Sequence, residues 1–220
     1  MYGDGVPLLS GVSAPHFLLG VPRMPAFTVS LDDSVLACVC TDGYDVLSIR
    51  VGGTRVDDEF ATIDLSAGAY PEGGPSTHLI WLNSVAVLPG QRVQVKMSDR
   101  GETTRPGKTI EDLFPDEEPS SPVDFKPTSE IFAELRRLPS LRDGYSFEVT
   151  SPTGEVHRTS STPDEHGFGF TVLWNSYQPE RASVSLHTYT IDGVEQRSPG
   201  SDHLREYFKP TQTVAIKIDA

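Results

Sequence analysis

Hydrophobic positions along the chain recur mostly in short runs of β-branched and aromatic residues, which are separated by clusters of glycine, proline, asparagine and aspartate. This pattern predicts strands that place one face on a core. Because the connections are too short for parallel crossovers, we expect antiparallel pairing. The predicted strands are residues 26–31, 35–40, 46–51, 54–56, 61–65, 78–82, 93–97, 145–150, 156–160, 168–174, 182–190, 193–196 and 214–218.

Turn residues between these runs predict hairpins. Gly52-Gly53 and Asp192-Gly193 are dipeptides that tolerate the positive φ values of tight two-residue turns, and Gly154 closes a third link. One amphipathic helix is predicted after Thr128, where apolar residues fall on one face before Pro139. Shorter helical turns are predicted over residues 109–114 and 202–208.

The composition changes in the middle of the chain, at the proline-rich and acidic segment PDEEPSSPVDFKP. Four prolines within thirteen residues interrupt a strand ladder or a helix. The sequence therefore predicts an N-terminal β unit over residues 1–114 with an apolar, Pro/Gly-rich leader. A linker follows over residues 115–127, and residues 128–220 form a helix and a C-terminal β unit.

The two halves contain similar segments in the same order, which indicates an internal repeat. Residues 61–65 (ATIDL) resemble residues 182–186 (ASVSL), and residues 88–97 (LPGQRVQVKM) resemble residues 209–218 (KPTQTVAIKI), both at an offset of 121. A His-Leu pair at residue 78 matches another at residue 203. The predicted fold is mainly β, with two related antiparallel β-sandwich-like units joined by a Pro/acidic linker and one short helix.

The charge balance excludes several classes of partner. Eighteen basic residues stand against 31 acidic ones, a net charge of −13. Nucleic acid and anionic membrane surfaces would repel such a chain, whereas a basic protein would be attracted to it. Simple solubility also explains an acidic composition.

The N-terminal residues and the cysteines favour the cytoplasm. The first 25 residues have no basic start and are interrupted by prolines, so they predict neither a signal peptide nor a membrane-spanning helix. Cys38 and Cys40 are two residues apart on one strand, which is too far for a disulfide, so they are expected to be reduced core residues.

No residue pattern commits the chain to catalysis. The sequence contains no Gly-x-Ser-x-Gly elbow and no cysteine paired with a base in a known motif, so we expect a non-enzymatic protein without a cofactor. A metal site remains an alternative, because hairpin pairing could bring together His157, Asp164, Glu165 and His166.

The densest charge lies in residues 111–118, where five of eight residues are acidic and two are large and apolar. A solvated linker explains this composition. The alternative is a partner-binding segment, in which the apolar residues enter a pocket and the carboxylates meet basic residues. A second acidic run could extend the surface. The candidate partner-binding residues are Asp57, Asp58, Glu59, Glu111, Asp112, Leu113, Phe114, Asp116, Glu117 and Glu118.

Residues 78–118 resemble small bacterial β proteins of the polymorphic-toxin immunity type. The similarity rests on Trp81, the turn Pro89-Gly90, the alternation around Val93, the segment PGKT at residues 106–109 and the acidic tail. It covers under a fifth of the chain. The resemblance implies a cytoplasmic protein that neutralises a basic toxin without catalysis.

Three alternatives remain open at this point. Tandem β units also suit a structural or adaptor module of a larger bacterial or phage-like assembly, which would self-associate through sheet edges. A hydrolase with a dispersed site is a further class. Aromatic residues in the strands, Trp81 and Trp174 with Tyr70 and Tyr177, could instead form a sugar-stacking face.

Overall fold

The computed structural model describes residues 24–116 and 127–220. These residues form twelve strands and three short helices. The strands are β1 (Ala26–Leu31), β2 (Ser34–Cys40), β3 (Val46–Thr54), β4 (Ala61–Ala69), β5 (Thr77–Val87), β6 (Arg92–Ser98), β7 (Ser146–Thr150), β8 (Val156–Ser160), β9 (Gly167–Asn175), β10 (Ala182–Tyr189), β11 (Ser201–Phe208) and β12 (Thr213–Asp219). The helices are α1 (Ile110–Leu113), α2 (Ser129–Leu135) and α3 (Ile191–Glu195).

The strands form two six-stranded antiparallel sheets. Sheet 1 has the order β2-β1-β6-β12-β7-β8, and sheet 2 has the order β11-β10-β9-β3-β4-β5. Inward-facing residues of every strand except β8 enter one hydrophobic core between the sheets, to which both halves of the chain contribute. The prediction of a mainly β, antiparallel, sandwich-like fold is confirmed.

The two halves have the same topology and share both sheets. Each half gives its first, second and sixth strands to sheet 1 and its other three to sheet 2. The halves meet where β6 pairs with β12 and where β3 pairs with β9. The six strands before residue 117 and the six strands after it therefore do not form two separate sandwiches, because each sheet takes three strands from each half.

The sequence offset of 121 reappears at the centre of both sheets. Gln94 lies opposite Ala215, and Arg50 lies opposite Thr171, and each pair is 121 residues apart. In a two-fold arrangement, a residue that faces its own equivalent lies on the axis. The repeat found in the sequence thus corresponds to a pseudo-two-fold axis that passes through both sheets.

A β-bulge is also repeated. In β5 the extra residue is Trp81, between partners of Leu65 and Ser66, and in β11 it is His203, between partners of Leu186 and His187. The structural equivalent of His203 is therefore Trp81, and the similarity of two His-Leu pairs in the sequence is not a structural equivalence. The sandwich has two lateral openings, which are the gaps between the edge strands of its two sheets, β2 and β5 on one side and β8 and β11 on the other. Trp81 lies at the first opening and His203 at the second.

The two lateral openings are closed in different ways. Residues 101–113, which we call the strap, cross from β2 to β5. Thr104 donates its backbone N–H to Cys38 at 3.0 Å, and Ile80 and Lys108 exchange backbone hydrogen bonds of 2.8 and 2.9 Å. The Trp81 indole donates to the carbonyl of Arg105 at 2.9 Å. The strap thereby covers two strand edges that would otherwise be open.

Local predictions had mixed outcomes. The helix after Thr128, the short helix capped by Thr109 and the hairpin at Gly154 are present. Gly52-Gly53 is not a turn but the end of β3, Asp192-Gly193 lies in α3, and residues 202–208 are a strand instead of a helical turn. The proposed strand over residues 193–196 is likewise wrong.

Crowding explains the glycine at position 53. A Cβ atom there would lie 2.5 Å from the carbonyl oxygen of Phe60, which is backbone and cannot move away cheaply. We expect Gly53→Ala to destabilise the fold by about 1–3 kcal/mol, measured as a lower urea midpoint. Gly52→Ala is the matched control, because its nearest neighbour would be 3.3 Å away, and an equal loss in both variants would contradict this explanation.

The cysteines were predicted to be reduced core residues. Both are free, but they are half-buried on the outer face of β2, because Ala37 and Val39 occupy the inward positions. The backbone N–H of Cys40 donates to the hydroxyl of Thr103 at 3.0 Å, so the strap also binds the edge of β2 beside these cysteines.

Candidate functional site

The negative charge of the protein lies outside the sheets. The twelve strands contain six basic and five acidic residues, whereas the other described residues contain 10 basic and 22 acidic ones. Charges are costly on inward positions and are placed on turns and helices, where water solvates them. The acidic surface that the composition predicted is therefore a surface of loops and short helices.

Helix α1 carries part of the predicted acidic segment. A capping box holds it, in which the backbone N–H of Asp112 donates to the Thr109 hydroxyl at 3.2 Å and that of Thr109 donates to the Asp112 carboxylate at 3.1 Å. Glu111, Asp112 and Asp116 are exposed. The helix is thus fixed on the strap with its carboxylates toward solvent.

The two apolar residues of this segment differ in position. Leu113 is half-buried and lines a cavity of about 320 Å³ beside β5, together with Ile80, Trp81 and Val85. Phe114 is 38% exposed and available for contact. Ile110, which the sequence analysis did not select, is 51% exposed on the same helix. The available apolar pair is therefore Ile110 and Phe114, because Leu113 packs on the body of the protein.

The second acidic run, Asp57, Asp58 and Glu59, lies in the turn between β3 and β4. Arg142 holds this turn by donating to the backbone carbonyl of Asp57 at 2.8 Å and to that of Asp58 at 3.4 Å. All three side chains are exposed.

The structure does not place the two acidic runs in one cavity. Asp57 lines a cavity beside α2 and α3, whereas Leu113 lines the cavity beside β5. Glu117 and Glu118, the remaining predicted residues, lie outside the described residues. The predicted partner-binding residues therefore occupy two surfaces.

A cleft lies at the end of the sandwich. We call it the end cleft; it lies between α2, α3 and the turns that follow β3 and precede β9. Its polar part has a volume of about 400 Å³ and is lined by Arg55, Arg136, Asp164, His166, Thr190 and Asp192. An adjoining part of about 170 Å³ is mainly apolar, with Val56, Phe132, Leu135, Tyr189, Ile191 and Val194.

His166 and Ile191 line both parts, so the cleft is continuous. Burial lowers the pKa of His166, and the nearby guanidinium of Arg55 acts in the same direction against the carboxylate of Asp57. The imidazole is therefore neutral at pH 7. Sequence reasoning missed the cleft because its walls come from four separate segments.

A buried chain of hydrogen bonds closes the second lateral opening. Thr188 donates its hydroxyl to Glu165, and its oxygen lies 2.8 Å from Nε2 of His203, whose Nδ1 lies 3.0 Å from the hydroxyl of Thr159. The backbone N–H of Thr162 donates to the Glu165 carboxylate at 2.7 Å. We call these residues the polar chain.

The polar chain places a hydroxyl beside an imidazole and a carboxylate, the combination used in nucleophilic catalysis. However, Thr188 is 0% exposed and Glu165 is 4% exposed, so the hydroxyl is not in contact with solvent. Burial raises the pKa of Glu165, but hydrogen bonds from Thr188, Thr162 and Ser201 outweigh it and lower the pKa overall. The arrangement stabilises a buried carboxylate.

The metal alternative is not supported by the geometry. Glu165 is directed into the polar chain, and Asp164 instead accepts a hydrogen bond from the Thr162 hydroxyl at 2.6 Å. Within residues 24–116 and 127–220, no three His, Cys, Asp or Glu side chains converge as metal ligands do.

The two tryptophans of the sugar-stacking alternative are not accessible to a ligand. Trp174 is 0% exposed and Trp81 is 5% exposed, so both belong to the core. Tyr70 and Tyr177 are exposed, but a stacking face needs a planar aromatic surface in which the indoles would have contributed most of the area.

No helix in the described part of the chain has the length and apolar character needed to cross a bilayer.

Comparison with known proteins gave no relatives. No family model, curated protein or solved structure matches the chain.

Proposed function

We propose that the protein is a non-enzymatic, acidic binding module for a basic protein partner, in the specific form of a cytoplasmic bacterial immunity protein that neutralises a basic toxin. The observation that carries the proposal is the α1 surface, where exposed Ile110 and Phe114 lie among the carboxylates of Glu111, Asp112 and Asp116. Apolar anchors surrounded by charge are typical of surfaces that bind charged proteins.

The α1 surface is fixed before any partner binds. The capping box holds the first turn of the helix, and Leu113 packs beside Trp81 and Ile80. Binding to a preformed surface loses less conformational entropy than binding to a mobile one. The sealed Thr188 hydroxyl supports the non-enzymatic part of the proposal, since it removes the most catalytic-looking group from contact with a substrate.

A photo-crosslinking residue at position 114 tests the proposal in cells that produce the protein. We expect it to capture a basic protein, and the purified pair should dissociate more readily as salt rises because exposed charges are screened. Phe114→Ser should weaken binding at least about tenfold, the size expected for an anchor of more than 1.4 kcal/mol.

The matched control is the same crosslinker at Leu88, an exposed apolar residue between β5 and β6. Equal capture at both positions, or a captured partner that is acidic, would sink the proposal. An immunity role further requires that co-expression of the protein relieves the toxicity of the captured partner.

A structural or adaptor module is the second candidate, favoured by the strand edges of the second half. β8 and β11 are the last strands of their sheets, and in the described residues the strap covers only their counterparts β2 and β5. Open edges can pair with another copy. This candidate expects light scattering to show oligomers whose size falls after Val156→Pro in β8, whereas the immunity proposal expects a monomer before partner binding.

A further inference from the structure

The end cleft contains two charged groups of opposite sign that the protein does not neutralise with each other. Arg55 donates to two backbone carbonyls, that of Arg142 at 3.0 Å and that of Pro163. Asp164 accepts from the hydroxyl of Thr162 at 2.6 Å. Their hydrogen bonds within the described residues are thus to uncharged groups, although both side chains line the same cavity.

The other charged residues that line the polar part neutralise each other, whereas Asp57 lines only the apolar part. Arg136 makes an ion pair with Asp192 at 2.6 Å and a second one with Glu195. These contacts join α2 to α3 and fix the wall of the cleft. A guanidinium engaged in this way has little capacity for a ligand anion. Among the described residues, Arg55 and Asp164 are therefore the charged groups of the polar part that make no ion pair.

The apolar part begins next to these charges. Phe132 and Leu135 of α2 face Ile191 and Val194 of α3 across a volume of about 170 Å³. Phe132 is buried, and the neutral imidazole of His166 forms the boundary with the polar part. A small-molecule site has this construction, in which an apolar pocket supplies affinity and a few polar groups set orientation.

We propose that the end cleft binds a small zwitterion with an apolar side chain, an α-amino acid or the corresponding short peptide. The ligand carboxylate binds the guanidinium of Arg55, its ammonium group binds the carboxylate of Asp164, and its side chain enters the pocket between α2 and α3. A ligand with one charge would lack the ion pair with one of these two groups, so it would bind less tightly than a zwitterion.

Isothermal calorimetry with the full chain tests this proposal, and L-leucine is the first probe. We expect saturable binding of L-leucine, and at least tenfold weaker binding of isocaproate, which lacks the ammonium group, and of isoamylamine, which lacks the carboxylate. Across alanine, valine and leucine the affinity should rise about fourfold per buried CH₂ group. The dipeptide leucyl-leucine distinguishes a free amino acid from a peptide as the preferred source of the same chemistry.

Two variants locate the site. Asp164→Asn keeps the size of the side chain and removes its charge, and we expect the affinity for L-leucine to fall at least tenfold while the affinity for isocaproate does not fall. Arg55→Gln should weaken both L-leucine and isocaproate. Asp42→Asn is the matched control, because it follows β2 at the opposite end of β3 and should change neither affinity.

The outcomes are separable from misfolding and from the proposed function. Thermal unfolding identifies any variant that no longer folds, and Asp164→Asn alone then decides the proposal. No heat of binding with any zwitterion, equal binding of isocaproate and L-leucine, or an unchanged affinity of Asp164→Asn would each overturn it. The α1 surface lies elsewhere, so these results leave the crosslinking experiment at position 114 unaffected.

Discussion

Residues 24–116 and residues 127–220, produced as separate chains, are expected not to fold. Each fragment would carry three strands of each sheet, with the central pairs β6–β12 and β3–β9 missing. The inner edges of β3 and β6 would then be open, and half of a shared core would face water. Heteronuclear NMR of each fragment should show poorly dispersed amide signals or aggregation.

Mixing the two fragments should restore dispersed signals, because the missing strand partners are then supplied by the other chain. The intact chain is the control. When its unfolding is monitored with two different probes, both should report the same single transition. A stably folded fragment, or two separate transitions in the intact chain, would contradict the shared core.

Thr188→Val is expected to lower the free energy of unfolding, with the largest effect after the division of the chain into fragments. The substitution keeps the shape of the side chain but removes the hydroxyl that links Glu165 to His203. A buried carboxylate then loses a donor, which costs about 1–3 kcal/mol, with charged groups at the upper end of that range. The free energy of unfolding from urea titration at pH 7 measures the loss.

The same variant has a predicted pH dependence. The pKa of Glu165 is lowered from 4.5 in the folded protein, so its contribution to stability is fully present above that pH and disappears as the pH falls through the folded value. The stability difference between the original protein and Thr188→Val should therefore narrow below pH 4.5.

Thr171→Val is the matched control for this prediction. Thr171 lies in β9 on the outer face, opposite Arg50, so its replacement should change the free energy of unfolding by less than about 0.5 kcal/mol. If the two variants lost equal stability, or if the difference for Thr188→Val stayed constant down to acidic pH, the polar chain would not stabilise the Glu165 carboxylate.

The architecture was largely predictable because local and repeated signals agreed. Alternation of apolar and polar residues identified most strands, since an inward position of a two-layer sandwich has little tolerance for charge. The offset of 121 was visible in the last strand of each half, and it is the offset that places Gln94 opposite Ala215. The sharing of sheets was not predictable, because strand order depends on contacts that no single segment encodes.

Local errors occurred where tertiary contacts override turn propensity. Gly53 is needed for the close approach of Phe60, so a signal for a turn was in fact a signal for crowding. In α3, the Thr190 hydroxyl accepts from the backbone N–H of Gly193 at 2.9 Å, and this cap favours a helix over a hairpin. At residues 202–208 the bulge at His203 interrupts the alternation and hides the strand.

The candidate sites were likewise predictable from the sequence only in part. The acidic run of α1 was evident from composition, but only packing against β5 distinguishes Leu113 from Phe114. The sequence singled out Asp164 and His166 only as possible metal ligands. It did not predict the end cleft, because Arg55 and Asp164 are more than a hundred residues apart.

The pseudo-two-fold axis has a consequence for how the protein can change. Two identical six-stranded units joined about such an axis would form an isologous dimer, in which any substitution appears twice. A covalent connection removes that constraint and keeps the partner at a high effective concentration. Trp81 and His203 show that the two halves have diverged. At these equivalent positions one half has an indole covered by the strap, and the other has an imidazole in the polar chain.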